Sequence, residues 1–374
     1  MSVREIRAKS LLRKHKKVDS WFVSRYGMNL YRGCAHNCVY CDGRAETYYV
    51  DGNFGDDVSV KVNAIELLRR ELDPKRKRKP LKRGFIMLGG GVGDSYQPLD
   101  KTYELSRKAL NVIHEYGYPV HILTKSTLVT RDVDMIKMIN KQSRAIVSFS
   151  ISSANDEISA VFEPGVPSPT KRFETISFFK NQGIACGLFL LPVIPYITDT
   201  PTMIDAAIRT AKTIGIDFIV FGGMTLKQGR QQEYYLNVLR NQYPDLLPEY
   251  ASTYPGRRYG AATPDYYRTI SQVFDAVASK YKIAKRMPAR LFNDILDEND
   301  RVVVILEQLD YLLRLKGTKS PYSYAAYSIS KLTKPVSTIE NLRQIKGVGH
   351  TTEKLIREII RTGTCGQYEK SLYG

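Results

Sequence analysis

Tyr31-Arg32-Gly33-Cys34-Ala35-His36-Asn37-Cys38-Val39-Tyr40-Cys41 puts three of the chain's five cysteines inside eight residues, at the spacing C-x3-C-x2-C. Thiolates are soft ligands that suit iron–sulfur clusters or zinc. A structural zinc closes a shell of four ligands, commonly from paired C-x2-C units. Here the other two cysteines, Cys186 and Cys365, are remote and isolated. Three local thiolates match a four-iron cluster with one iron left open. Zinc with His36 as fourth ligand is the competing arrangement. An odd, clustered set of cysteines is not a disulfide framework, and it points to a reducing compartment, the cytoplasm.

Outward from this loop, short β-branched or aromatic runs alternate with helical ones. Strand-like runs lie at 28–31, 85–88, 120–124, 145–151, 186–193 and 218–221. Helical patterns lie between them at 62–72, 102–116, 131–140, 169–182 and 201–213. The fourth of these is punctuated by Ser168 as a cap, Pro169 at the first helical position and Gly183 at its end. Six β-α units with almost continuously apolar strands predict an α/β fold with a helix-covered parallel sheet. Right-handed crossovers curl such a sheet, and six units make a partial (βα)6 TIM-like barrel, open on one side.

The remainder divides by composition. Residues 1–27, with Arg4, Arg7, Lys9, Lys14, Lys16 and Lys17, read as a basic, solvated N-terminal arm. The barrel is expected over 28–230. Residues 231–337 read as a helical extension, with helical spacing at 266–281 and 302–315 and a linker over 318–337. A small unit follows at 338–374. Lys and Arg number 56 against 38 Asp and Glu, a net charge of +18, which favours a polyanionic partner, nucleic acid first. No apolar run reaches the roughly 18 residues of a membrane helix. The longest, 184–197, contains Pro192 and Pro195 and reads as a buried strand, so no membrane partner is expected.

The cysteine loop, with an aromatic residue before its last cysteine and a strand before it, resembles the radical S-adenosylmethionine superfamily. The stretches NLYRGCAHNCVYC, GDSYQPLD, LTKSTLVTRDVDMI, SFSISSANDEISAVFEPGVPSPTKRFETI and LPVIPYITDT together resemble its spore photoproduct lyase-related family, across roughly residues 20–230. The resemblance implies a 4Fe-4S cluster on Cys34, Cys38 and Cys41. Its open iron would hold the methionyl amine and carboxylate of S-adenosylmethionine, with Tyr40 against the adenine and His36 outside the ligand set. Gly89, Gly90 and Gly91 would let the backbone approach the methionyl amine closely. Asp94 would accept from that amine or reach substrate. Lys125 would meet the cofactor carboxylate, a favourable charge-assisted contact. Ser150 and Ser152 would meet the ribose and methionyl part. Glu163 and Arg172 are expected to pair with each other.

Further expectations follow from the resemblance. The reaction is radical chemistry on nucleic acid, DNA repair or base modification first, fed by an electron donor such as flavodoxin or ferredoxin. An RNA-modifying enzyme, or a nucleic-acid-binding protein with a structural or redox cluster, are the alternatives. One departure stands out. The family's lyases carry a hydrogen-donating cysteine at the end of the second strand, and residues 88–94 here hold none. Tyr96 and Cys365 are the candidates for that role, while Cys186 reads as a core residue.

Near the end, residues 342–350 followed by an apolar-periodic run over 351–360 resemble a helix-hairpin-helix DNA-binding motif. Gly347 and Gly349 would turn backbone amides toward phosphate at a helix N-terminus, with Lys346, Lys354 and Arg357 adding charge. A second basic run, Lys75-Arg76-Lys77-Arg78-Lys79 with Lys82 and Arg83, reads as a solvated loop, an import-like tag or a phosphate-contacting hairpin.

Overall fold

The computed structural model describes residues 2–48, 50, 52–76, 80–90 and 92–374. Its strands are β1 (Ser2–Ile6), β2 (Leu12–Asp19), β3 (Ser24–Met28), β4 (Tyr31–Arg32), β5 (Asp57–Lys61), β6 (Ile86–Leu88), β7 (Val120–Thr124), β8 (Ala145–Ile151), β9 (Ala185–Val193) and β10 (Phe218–Gly223). A seven-stranded sheet runs in the order β10-β9-β8-β7-β6-β3-β2. Within it β3 and β6 to β10 are all parallel, and only β2 is antiparallel. The six parallel strands are the expected partial barrel. Every residue of β8 is buried, as a strand packed on both faces requires. Helices such as Val133–Gln142, Pro169–Asn181 and Pro201–Thr213 form the crossovers.

The inside of the curl is filled by side chains, not open. Phe22 stacks on Phe189 with ring centroids 5.5 Å apart. His121 links the Phe22 carbonyl through Nδ1 (2.7 Å) and the Ser148 hydroxyl through Nε2 (2.8 Å). Gly187 leaves room for the Phe218 ring, which a Cβ there would approach to 2.3 Å. This layer fills the lower barrel beneath the cavity at the C-terminal ends of the strands.

Two expectations about organisation are corrected. Residues 1–27 do not form a solvated arm. β1 pairs with β5 and β2 pairs with β3, and Leu11 and Val18 enter the core. The lysines hid the strand because an edge strand tolerates charge on its solvent side. Nor is 318–337 a linker. Helix Tyr322–Ile329 buries Ala325, Ala326 and Ile329 against helix Glu298–Leu315, which is itself buried along residues 302–306. Its Ser and Tyr content masked a small-residue helix face.

Ile329 tests the second correction. It is fully buried, so Ile329→Ala should cost about 2–5 kcal/mol in denaturant unfolding. A linker residue would cost nothing measurable.

Candidate active site

The C-terminal ends of the parallel strands surround a cavity of about 350 Å³. Cys34, His36, Cys38, Tyr40 and Cys41 line it from the loop after β4; Gly90 and Asp94 follow β6, and Lys125 follows β7. Ser150 enters from β8, Leu191 and Pro192 from β9, and Met224 and Thr225 from the end of β10. Phe22 belongs to the floor.

The cysteine loop lacks a ladder of its own, and side chains supply one. Gln97, wholly buried, brackets Cys34: Oε1 accepts from the Ala35 amide (2.8 Å) and Nε2 donates to the Gly33 carbonyl (3.3 Å). Arg44 donates to the carbonyls of Cys38 (3.1 Å) and Asn37 (3.2 Å), and its guanidinium lies 3.5 Å from the Tyr234 ring centroid. Gln231 donates to the carbonyls of Tyr40 (3.0 Å) and Thr225 (3.1 Å). Gly33, at φ +83°, would put a Cβ 2.5 Å from the Asp57 carbonyl. Gly165 would put one 2.7 Å from the Ala35 carbonyl, so only glycine lets its amide reach His36 (3.1 Å). Sequence reasoning missed Gln97, Arg44 and Gln231. Gln97 sits in GDSYQPLD, where a buried amide beside a metal loop was a usable signal.

The three thiols all line this one cavity. A cubane asks for the arrangement seen, because each thiolate binds a different iron corner around a shared cavity. His36 is anchored through Nδ1, 2.9 Å from the Gly165 carbonyl; its Nε2 faces Asp94 at 3.2 Å without an aligned hydrogen bond. Burial pushes the Cys38 thiol up to about 12, and also raises Cys34 and Cys41. Buried thiolates at these positions need the positive charge a metal cluster brings.

Opposite the thiols lies a charge network. Lys125 Nζ donates to Glu163 Oε1 (2.8 Å), Ser150 Oγ (2.8 Å) and the Tyr40 hydroxyl (3.0 Å). Tyr40 donates to Glu163, and Arg172 pairs with its other oxygen, with both partners fully buried. The expected Glu163–Arg172 pair is present. Burial alone would raise the Glu163 carboxyl, but Arg172 and Lys125 hold it well below the usual range. Two cations share one carboxylate, which leaves one positive charge at the cavity wall for an anionic ligand.

The other expected cofactor residues divide. Gly89 and Gly90 have φ of +82° and +92°, and Gly90 lines the cavity. A Cβ on Gly89 would come 2.3 Å from the Leu123 carbonyl. Gly91 lies outside the described residues. Ser152 does not line the cavity; it is fully buried with no hydrogen-bond partner for its hydroxyl among the described residues. Asp94 reaches the cavity, but it accepts from Thr124 Oγ1 (2.8 Å) and the amides of Lys125 (2.7 Å) and Tyr96 (2.8 Å). Burial would raise Asp94; His36 beside it and these donors hold it low. It therefore fixes His36 and the β7 end, and is not a free acceptor.

Neither expected hydrogen donor reaches the site. Tyr96 is wholly buried outside the cavity lining, close enough to Asp132 and Asp100 for burial and their charges to raise its phenol. Its neighbour Asp94 faces the cavity, and the turn between them sends Tyr96 the other way. Cys365 is buried at the start of helix Gly366–Tyr373, in the C-terminal core. Cys186 is a core residue at the opposite end of the strands, as expected.

At the C-terminus, a turn with Gly347 at φ +85° and Val348 buried leads into helix His350–Thr362, with Gly349 at its N-cap. Lys346 and Lys354 are exposed. Arg357 is not free for phosphate: it pairs with Glu353 (2.7 Å) and donates to the Glu340 carbonyl (2.8 Å). No helix among the described residues is long and apolar enough to cross a membrane.

Comparison with known proteins places this geometry. The profile of the radical SAM superfamily matches residues 28–207, and that of a helix-hairpin-helix domain matches residues 297–365. That match starts ahead of the unit expected at 338–374. An uncharacterized protein of Mycobacterium tuberculosis is 30% identical over 264 residues, covering 70% of this chain and 75% of that one. An uncharacterized protein of Methanocaldococcus jannaschii is 30% identical over 237 residues, covering 63% and 83%. A solved spore photoproduct lyase variant shares the fold with TM-score 0.54 at 18% identity, over 75% of this chain and 79% of that one.

Replacing Cys34, Cys38 and Cys41 together by alanine should abolish iron binding and the brown chromophore of the anaerobically reconstituted protein. Four irons retained by that variant would overturn the ligand assignment. His121 yields a pH prediction. Burial holds it neutral with its pKa lowered from 6.5 to about 4. The unfolded chain therefore binds a proton that the folded one refuses. Stability should be full above about pH 6.5 and fall toward pH 4, by on the order of 3 kcal/mol. Urea titrations of wild type and His121→Gln at both ends of that window should show a shallower acid loss in the variant.

Proposed function

Because the chain belongs to the radical SAM superfamily and is an enzyme of that class, we propose that it holds a 4Fe-4S cluster and S-adenosylmethionine and acts on a base in nucleic acid, DNA first. When bound, that pair supplies one-electron cleavage of the sulfonium and a carbon radical able to remove a hydrogen atom. The chain's own residues do the rest. Cys34, Cys38 and Cys41 would hold the cluster. Lys125, which donates to Glu163, Ser150 and the Tyr40 hydroxyl, would meet the methionyl carboxylate by exchanging one of these acceptors for it, with Ser150 beside it. Tyr40 is fixed by Lys125 and Glu163 at the cavity wall, where its ring offers a face to adenine. Phe22 and Phe189 seal the floor against water.

The observation that carries the substrate class is the pairing, in one chain of charge +18, of this cavity with a helix-hairpin-helix domain. Such domains bind phosphate through backbone amides without reading bases. A solved neighbour of similar fold, TM-score 0.52, was captured with AdoMet and a dinucleoside spore photoproduct. The cavity's cysteines are the three proposed ligands, so the hydrogen returned to product comes from a group other than a second-strand thiol.

The direct test is anaerobic incubation of the reconstituted protein with dithionite, S-adenosylmethionine and either duplex DNA or structured RNA. 5′-Deoxyadenosine release stimulated by DNA supports the reading. Stimulation by RNA alone reassigns the substrate, and no release from intact clusters refutes the reaction. Lys125→Ala should weaken cofactor binding about ten- to a hundred-fold, the equivalent of one charge-assisted hydrogen bond, with iron content unchanged. Lys346→Gln with Lys354→Gln should weaken DNA binding alike for all sequences. It should also lower the salt slope of log K by about 0.9 for each phosphate that is no longer neutralised.

A further inference from the structure

The basic N-terminal segment and the run near Lys75 remain unexplained by the cavity or the hairpin. The structure brings parts of both together. A hollow of about 310 Å³ lies beside β2, walled by Lys9, Lys14, Arg70 and Arg76 over a base that includes Tyr26 and Leu81. The acid within it, Glu71, is already engaged, accepting from the amides of Leu11 (3.0 Å) and Leu12 (2.7 Å). Ion pairs nearby engage Arg7, Lys17 and Arg69. Among the described residues none reaches Lys9, Lys14, Lys16 or Arg70, and all four side chains are exposed. Arg76 Nη1 is shut from water without a hydrogen-bond partner among the described residues. A buried guanidinium donor with no acceptor, set in a hollow of cations, is matched chemically by an anionic oxygen.

The hollow is not isolated. Lys14 and Lys16 are two apart on β2 and so share a face. Lys16 lies near enough to Tyr327 for its charge to act on that phenol together with Lys331, whose ammonium sits 4.0 Å from the ring centroid. One turn earlier on the same helix, Tyr324 packs on Gly347, where a Cβ would come 2.7 Å from its ring. A line of cations and exposed tyrosines therefore joins the hollow to the hairpin. β2 is antiparallel to β3, with Leu12 opposite Met28. Its Leu12 end is therefore level with the C-terminal ends of β3 and β6, and Lys14, opposite Tyr26, is level with Ile86 at the start of β6.

We propose that the outer face of β2, with the hollow of Lys9, Lys14, Arg70 and Arg76, is a second phosphate-contact surface that extends the helix-hairpin-helix grip along the flank of the barrel, its ligand being the sugar–phosphate backbone of a duplex. The inference rests on the nucleic-acid reading given above. Cations without acid partners suit phosphates spaced along a strand, and they release counterions on contact. The surface carries no base-reading requirement, in keeping with a hairpin that also grips backbone.

The test uses the full-length reconstituted protein and fluorescently labelled duplexes of two unrelated sequences, with anisotropy read over a series of KCl concentrations. Lys9→Gln, Lys14→Gln and Arg70→Gln combined should weaken binding at least ten-fold for both sequences. The slope of log K against log salt should fall by about 2–3, near 0.9 per phosphate neutralised. A second variant, Lys16→Gln with Lys331→Gln, probes the connecting stretch without touching the hollow, and should lower the slope by about 1–2. Cofactor cleavage without nucleic acid should be unchanged in both. Wild-type binding with unaltered slopes in both variants overturns this surface and leaves the nucleic-acid reading standing. Failure of the wild type to bind any duplex or RNA overturns both. Binding of the same residues to phosphatidylserine vesicles in preference to duplex assigns the surface to a membrane and overturns it as well.

Discussion

The loop bearing Cys34, Cys38 and Cys41 closes short turns on itself, Asn37 to Cys34 (3.2 Å) and Cys41 to Cys38 (3.3 Å), but its other amides and carbonyls must find partners in the surrounding structure. It is also buried, which makes each missing partner cost about 1–3 kcal/mol. The rest of the site can be understood as the solution. Gln97 arrives after β6, Arg44 from the short helix Asp42–Arg44, Gln231 from helix Arg230–Gln242 and Gly165 from the segment before helix Pro169–Asn181. Four separate parts of the chain must fold before the thiols take their places. The metal loop is therefore a product of the tertiary structure and not a local unit.

The same economy appears in the charges. Arg172 is fully buried, and its partner Glu163 is shared with Lys125 and Tyr40. A buried ion pair seldom adds much net stability, but removing one partner strands the other. What the arrangement does supply is position. Lys125 is held at the cavity wall by three acceptors, so its ammonium does not swing on a flexible stem. Glu163 thereby couples the orientation of Tyr40 to that of Lys125, which also bond each other at 3.0 Å on the same wall of the cavity.

A barrel of six parallel strands has an open flank, and both ends of the chain are used to cover it. β2 adds an antiparallel edge, and helix Glu298–Leu315 packs against it, with Lys17 paired to Glu307 and Gln308 bonded to the Ser20 carbonyl (3.0 Å). Arg25 meets Asp300 at 3.3 Å, and Arg286 lies over the rings of Tyr311 and Trp21. The helix-hairpin-helix unit is thus seated on the flank by the N-terminal strands, not tethered by a linker. That seating brings Lys16 of β2 and Lys331, more than three hundred residues apart in sequence, to the same tyrosine, Tyr327.

Periodicity sufficed for most of the parallel strands: β7 and β8 fall on residues 120–124 and 145–151, where apolar runs between helical patterns had put them, whereas the first, expected at 28–31, lies at Ser24–Met28. That the three cysteines, Gly90, Lys125 and Ser150 share one cavity, and that Glu163 pairs with Arg172, was also legible, because a spacing or a strand end marks each of them. The N-terminal strands and helix Tyr322–Ile329 were not. Lysine-rich edge strands and helices of Ala, Ser and Tyr carry little hydrophobic signal, and their assignment depends on what packs against them. Tyr96 suggests itself by chemistry and nearness in sequence and Cys365 by its thiol alone, but where a side chain ends up is set by packing. Nor does a motif reveal which groups are already spoken for. Asp94 and Arg357 carry the right chemistry, yet His36 and Glu353 occupy them. Residue types and spacings determined which reaction class this chain can host. The long-range contacts decided which groups stay free to take part, because a hydrogen bond or ion pair made within the fold removes a side chain from the chemistry its sequence advertises.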